Sequence, residues 1–213
     1  MSTMSALTNV YAFPQEERSK DWTGDKNSIF KTLGASNHTK DARQVDDYYA
    51  TEPLAIDILC EVEEFDGRIW ECACGEGHLS KRLMEHGYQV VSSDLVPRGF
   101  GKAHVDFLLC DKPWNGNIIT NPPYKHATEF VEKAMELIPE GKKVAMFLKV
   151  LFLETKGRKE LFEKYPPKSV YISSSRLACA KNGDFSNAQR AVAYAWYVWE
   201  KGHTDNTTLH WVN

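Results

Sequence analysis

Arg68-Ile69-Trp70-Glu71-Cys72-Ala73-Cys74-Gly75-Glu76-Gly77 runs from an apolar, strand-like segment into a glycine turn, and Leu79, Leu83 and Met84 then recur at helical spacing. A strand, a glycine turn and a helix in that order form the opening unit of an α/β fold, because the helix packs back on the strand before it. Gly87, after the last periodic residue, stops that helix. The same alternation extends outward. Upstream, Thr51 predicts a helix cap and Pro53 a first helical turn, followed by Leu54, Ile58, Leu59 and Val62. Downstream, strands are predicted over 89–93, 105–108, 117–120, 143–148, 169–173 and 191–199. Helices are predicted over 126–138 and 154–164.

Residues 1–45 are polar and irregular, with Gly24, Asn27, Gly34, Ser36 and Asn37 interrupting any period. They predict a flexible arm, ordered in part around Ile29 and Phe30, ahead of one domain over 46–213. The chain of 213 residues is 42% hydrophobic, 12% aromatic and 26% charged. That composition excludes collagen-like, wholly disordered and disulfide-scaffold proteins. No apolar run approaches the roughly 18 residues of a membrane span, and no secretory signal opens the chain. Five scattered cysteines predict reduced thiols in a cytoplasmic protein, and the single Cys72-Ala73-Cys74 pair has no partner pair with which to hold zinc. The seven histidines lack ligand spacing, so no metal is expected.

Net charge is −3, but it is unevenly spread. Residues 141–190 carry 11 Lys/Arg against 4 Asp/Glu, and the rest of the chain 15 against 25. A basic face of this kind is compatible with phosphates, although a solvated, mixed-charge helix over 154–164 accounts for part of it. The polar segment 174–190, between two predicted strands, contains Arg176, Lys181, Asn182 and Arg190. Loops held between rigid strands often carry function.

The chemistry is concentrated at the ends of the predicted strands. A dinucleotide site requires a third glycine, but position 80 is Ser, and Glu71 and Glu76 oppose a pyrophosphate. Carboxylates beside Gly75 and Gly77 suit a ligand with a cationic amino-acid end and free ribose hydroxyls, such as S-adenosyl-L-methionine. Asp94 ends the next strand, where a carboxylate accepts both ribose hydroxyls. Asp106 is suited to accept from an adenine amino group, and Phe107 to pack on the ring. Asn121-Pro122-Pro123-Tyr124 follows the strand 117–120 directly. Its two prolines fix the backbone, lack N–H groups and keep their carbonyls as acceptors. With the Asn121 carbonyl and the Tyr124 ring, they suit a planar group bearing an exocyclic or amide NH2. Hydrogen-bonding both amino protons aims the nitrogen lone pair.

With these motifs in place, the chain resembles the class I S-adenosylmethionine-dependent amino-methyltransferases, in particular the compact DNA adenine-N6 methyltransferases of phages and prophages. The resemblance spans roughly 48–213, with Asn121-Pro122-Pro123-Tyr124 as its most specific element. It implies a Rossmann-like, seven-stranded, mostly parallel sheet with helices on both faces, and 191–199 as the one antiparallel strand beside 169–173. It implies catalysis by Asn121, Pro122, Pro123 and Tyr124. By the same resemblance Tyr49, Thr51 and Pro53 lie over the cofactor, and Glu71, Gly75, Gly77, Asp94, Asp106, Phe107 and Asn121 bind it. Arg176, Lys181 and Arg190 are the expected contacts to DNA. Larger relatives carry a separate target-recognition domain, whereas no insertion here exceeds 174–190. Other acceptors remain open: cytosine N4, where Ser-Pro-Pro-Tyr is more usual, a guanine amino group of ribosomal RNA, or a glutamine side chain of a release factor. A non-catalytic nucleic-acid-binding module is the remaining alternative.

Overall fold

The computed structural model describes residues 50–175, 177, 179–180 and 192–213. The predicted arm over 1–45, Tyr49, Arg176, Lys181 and Arg190 therefore lie outside the described residues. Among the described residues are four α-helices, α1 (Leu54–Val62), α2 (His78–Glu85), α3 (Ala127–Leu137) and α4 (Lys156–Lys164), and nine strands. The strands are β1 (Ala50–Thr51), β2 (Arg68–Glu71), β3 (Gln89–Ser92), β4 (Asn117–Thr120), β5 (Lys143–Lys149), β6 (Ser169–Ser173), β7 (Cys179–Ala180), β8 (Tyr194–Glu200) and β9 (Thr208–Val212).

Seven of them form one sheet in the order β3-β2-β4-β5-β8-β6-β9. The pairs β3·β2, β2·β4, β4·β5 and β6·β9 are parallel, and β8 runs antiparallel to both β5 and β6. Lys143–Lys149 pairs along its whole length with β8, from Lys143 opposite Glu200 to Lys149 opposite Tyr194. The middle of β5, Val144 to Leu148, is buried on both faces, which is why it reads as an unbroken apolar run.

Alternate residues on each strand feed opposite faces of the sheet. Ile118, Val144, Met146, Tyr197 and Trp199 pack with Phe130, Val131 and Ala134 of α3. Ile119, Ala145, Phe147, Trp196 and Val198 pack with Ile56 and Leu59 of α1 and with Leu79 and Leu83 of α2. Each fully buried Leu, Ile or Phe contributes about 1.5–3 kcal/mol. The two helix layers hold the carboxyl ends of β2, β3 and β4 in fixed register, and these ends carry the site.

The expected seven-stranded sheet is present with one substitution among its members. Residues 105–108 do not form a strand. Asp106 instead accepts the Leu108 N–H at 3.0 Å and caps a one-turn 3-10 helix, Phe107–Leu109. Phe107 turns inward against Trp70 and Phe130, with ring centroids 5.2 and 4.9 Å away. The seventh strand is β9, which extends the sheet beyond β6. Nor does Thr51 cap α1. It lies in β1, paired antiparallel with β7, and Pro53 takes the N-cap position without a side-chain cap bond.

Candidate active site

One cavity opens at the carboxyl ends of β2, β3 and β4, the place where open α/β sheets bind ligands. Thr51, Glu71, Asp94, Asp106, Phe107, Asn121, Pro122, Pro123 and Tyr124 all line it. Residues that lie 73 positions apart in sequence are thus brought to one place by the fold.

Asp94 is the best-organised group in the cavity. Its Oδ2 accepts the Gly75 N–H and its Oδ1 the Val96 N–H, both at 2.8 Å. A carboxylate offers about four lone-pair positions, so two backbone donors orient it while leaving capacity for further donors. Gly75 reaches Asp94 with φ +54, in the left-handed region that favours glycine. Its part in the site is to hold that carboxylate.

Gly77 also has a positive φ, +81, and a Cβ there would come within 2.3 Å of the Phe100 ring. The close approach it permits in this structure is made by Phe100, whose other neighbours include the Lys81 ammonium at 5.1 Å from the ring centre. Gly75, Gly77 and Pro53 stand outside the cavity lining.

Glu71, at the tip of β2, is 1% exposed and accepts a hydrogen bond from the Ser80 hydroxyl. Burial disfavours its charged form and pushes its pKa up to about 8, with the Asp94 charge adding to the rise and the Ser80 bonds opposing it. Ser80 therefore has a local task where a dinucleotide site would have glycine. Burial likewise pushes the Cys74 thiol up to about 12, consistent with an unreactive core residue. Among the described residues no group of three His, Cys, Asp or Glu is placed to hold a metal ion. No helix among them is long and apolar enough to cross a membrane.

Asn121 leaves the end of β4 with its carboxamide anchored through nitrogen: Nδ2 donates to Thr51 Oγ1 at 2.7 Å. Pro122 is buried beside it. The Pro123 carbonyl accepts the His126 N–H at 2.9 Å and so starts the short 3-10 turn Tyr124–His126. Of the two proline carbonyls, Pro122's is the one not used to close that turn. The Tyr124 ring has the Lys149 ammonium 4.7 Å from its centre and the Tyr194 ring 6.0 Å away. Tyr194 stacks in turn on Phe147 at 5.2 Å, which ties the mouth of the site to the core.

Lys149 and Tyr194 were not legible as site residues, since each sits at the end of an ordinary apolar strand. The usable signal was the pairing of those two strand ends, which exists only in the folded sheet. Lys149 and Tyr194 touch the Tyr124 ring without lining the cavity, whereas His78, Leu95, Val96, Arg98, Lys125, His126 and Phe130 line it beyond the predicted set.

No protein-family model matches the sequence, and no curated protein matches it. Solved structures do match the fold. A protein assigned as a class I S-adenosylmethionine-dependent methyltransferase from Listeria monocytogenes superposes with a TM-score of 0.54 at 14% identity, covering 86% of this chain and 70% of its own. A protein predicted to be an O-methyltransferase from Agrobacterium tumefaciens gives 0.54 at 12% identity, covering 75% and 85%. A modification subunit assigned to a type I restriction enzyme from Vibrio vulnificus gives 0.53 at 13%, covering 81% of this chain and 48% of its own. At these identities the likeness is one of fold. The chain has the Rossmann-like class I methyltransferase fold, with its cavity at the strand tips where that architecture places its ligands.

Proposed function

We propose that the protein is an S-adenosylmethionine-dependent methyltransferase acting on an exocyclic amino nitrogen, N6 of adenine in DNA. The reading is carried by one arrangement: the Asn121 carboxamide, held through its nitrogen by Thr51, stands beside Pro122 and Tyr124 in the same cavity as the oriented Asp94 carboxylate. A carbonyl pair suits an acceptor with two N–H protons, and a hydroxyl or thiol acceptor would use only one of them.

The residues present fit the cofactor. Asp94 retains acceptor capacity for two ribose hydroxyls. Asp106, Phe107 and Glu71 line the same cavity, and this reading takes Asp106 and Phe107 as the adenine contacts and Glu71 as the group for the cationic amino-acid end. When bound, S-adenosylmethionine supplies an electrophilic sulfonium methyl group. Asn121 and Pro122 would then accept hydrogen bonds from the two amino N–H groups and direct the nitrogen lone pair at the methyl carbon while Tyr124 stacks on the ring; the thioether leaves, and the methylated nitrogen releases its extra proton to solvent. Positioning of this kind contributes most of the acceleration in a direct displacement.

In duplex DNA the target base must leave the stack, at a cost of a few kcal/mol. Stacking on Tyr124 returns about 1–3 kcal/mol, and two hydrogen bonds to Asn121 and Pro122 return about 0.5–1.5 kcal/mol each. Flipping is thus affordable without a large recognition domain. The domain is taken as 46–213, with Arg176, Lys181, Arg190 and the 1–45 arm as contacts to the polymer. The Vibrio vulnificus modification subunit, from a restriction enzyme, accords with DNA as that polymer.

The test is incubation of the full chain with labelled S-adenosylmethionine and DNA, RNA or a protein extract, followed by mass spectrometry of the products. N6-methyladenine in DNA is expected. N4-methylcytosine, a methylated guanine of RNA or methylglutamine would overturn the acceptor, and no incorporation anywhere would overturn the methyltransferase reading.

A further inference from the structure

We infer that Lys149 is the contact for a phosphate flanking the target base: its ammonium rests on the Tyr124 ring and passes to that phosphate as the base enters. The inference rests on the function proposed above, and it adds a residue that the resemblance does not assign.

Lys143 and Lys149 begin and end the same strand, β5, and their surroundings differ. Lys143 Nζ lies 2.5 Å from Glu63 Oε2 and 5.6 Å from the centre of the Phe65 ring. Lys142 and Lys168 are likewise paired with carboxylates, Asp66 and Glu200, each at 2.6 Å. Lys149 has a ring without a carboxylate. Its ammonium is 4.7 Å from the centre of Tyr124, and among the described residues no Asp or Glu is within ion-pair distance of it.

A half-buried ammonium held only by a ring face is poorly compensated. A phosphate oxygen offers it a charge-assisted hydrogen bond, a stronger partner than the ring. The place suits that exchange. Asp94 and Asp106 line the cavity and disfavour a phosphate inside it, whereas Lys149 touches Tyr124 from outside the lining. A base inserted beside Tyr124 leaves its flanking phosphates at the rim, within the range of that ammonium.

The backbone of Lys149 is fixed while its side chain is not. Lys149 stands opposite Tyr194 in the ladder, and the Tyr197 hydroxyl lies 3.2 Å from the carbonyl oxygens of both Lys149 and Val150. From this anchor a flexible four-carbon stem carries a compact point charge. The Tyr124 ring thus holds the ammonium at the mouth until a base takes its place.

The experiment measures binding by fluorescence anisotropy, using a labelled thymine oligonucleotide with one central adenine and S-adenosylhomocysteine present to prevent turnover. A neutral methylphosphonate replaces, in turn, the phosphate on the 5′ and on the 3′ side of the adenine. In the wild type one of these replacements should weaken binding by about 5-fold, the upper end for a solvent-exposed ion pair. Lys149→Met should bind the unmodified oligonucleotide more weakly by a similar factor and lose nothing further on replacement, because both changes remove one contact. Lys149→Arg should behave as the wild type does. Additive losses in Lys149→Met, or no loss in the wild type at either linkage, would overturn the inference. So would an equal loss at the same linkage of an all-thymine oligonucleotide, since the contact would then not depend on the adenine. The expected coupling in a protein that transfers no methyl group to DNA would leave the contact in place and locate the failure in the proposed function. An oligonucleotide that does not bind at all overturns both.

Discussion

The two halves of the cavity are built on different principles. The half formed by the tips of β2 and β3 is local: Glu71, Gly75, Ser80 and Asp94 lie within 24 residues and satisfy one another through Ser80–Glu71 and Gly75–Asp94 bonds. The half formed by the tip of β4 is assembled from a distance. Asn121 depends on Thr51, and Tyr124 on Lys149 and on Tyr194. Under the proposed function, cofactor binding falls on the self-contained half and methyl transfer on the half whose side chains are held from outside their own turn.

That contrast can be broken by separating the halves. The largest effect is expected for Asn121→Ala, which should lower kcat by at least about 100-fold, the scale of a misplaced reacting group. Cofactor affinity, read by calorimetry, should remain within a few-fold of wild type. A large loss of cofactor binding in that variant would mean that the two halves are one unit.

Asp94→Ala comes next. It removes the expected ribose acceptor and leaves the Gly75 and Val96 N–H groups without their carboxylate partner. Hydrogen bonds to a charged group are worth about 1.5–3 kcal/mol, so Kd for S-adenosylmethionine should rise by about 10- to 100-fold. Unchanged affinity would remove Asp94 from the binding half.

The smallest effect sharpens the picture of Glu71. Its pKa is raised by burial from 4.5 to about 8 in the folded protein. The folded state therefore binds the proton more tightly than the unfolded chain does. The resulting stabilisation is fully present below about pH 4.5 and is lost as pH rises through about 8. Glu71→Gln, which stays neutral, should lose this pH dependence. Its Tm should exceed that of the wild type at pH 9, and the difference should shrink as pH falls toward 4.5. A wild-type Tm as insensitive to pH as that of Glu71→Gln across this window would mean that Glu71 is ionised in the folded protein.

The same division explains how much could be read before the fold was in hand. The helices α2 and α3 and the strands β2, β4, β5 and β6 announce themselves through periodicity, because each buries one face or both against the core. The carboxylates at the tips of β2 and β3 follow from strand ends and a glycine turn. Thr51 reads as a cap because a hydroxyl residue just before Pro53 fits a helix start, and its real partner is 70 residues away. Residues 105–108 read as a strand from Val105, Phe107 and Leu108, but Asp106 turns the backbone on itself. Thr208-Leu209-His210-Trp211 does alternate polar and apolar residues, which was the available signal for β9. Little of it is buried, so no core position marked it as a member of the sheet.

Strand order also has a temporal side. Both neighbours of β6 in the sheet, β8 and β9, follow it in the chain. As the polypeptide leaves the ribosome at about 5–20 residues per second, the interval from Ser173 to Val212 takes about 2–8 s. Until β8 emerges both backbone edges of Val170 and Tyr171 are open, and until β9 follows one of them stays open; an unprotected edge invites pairing with another nascent chain. Slower growth temperature or a holdase acting in those seconds should raise the yield of native protein.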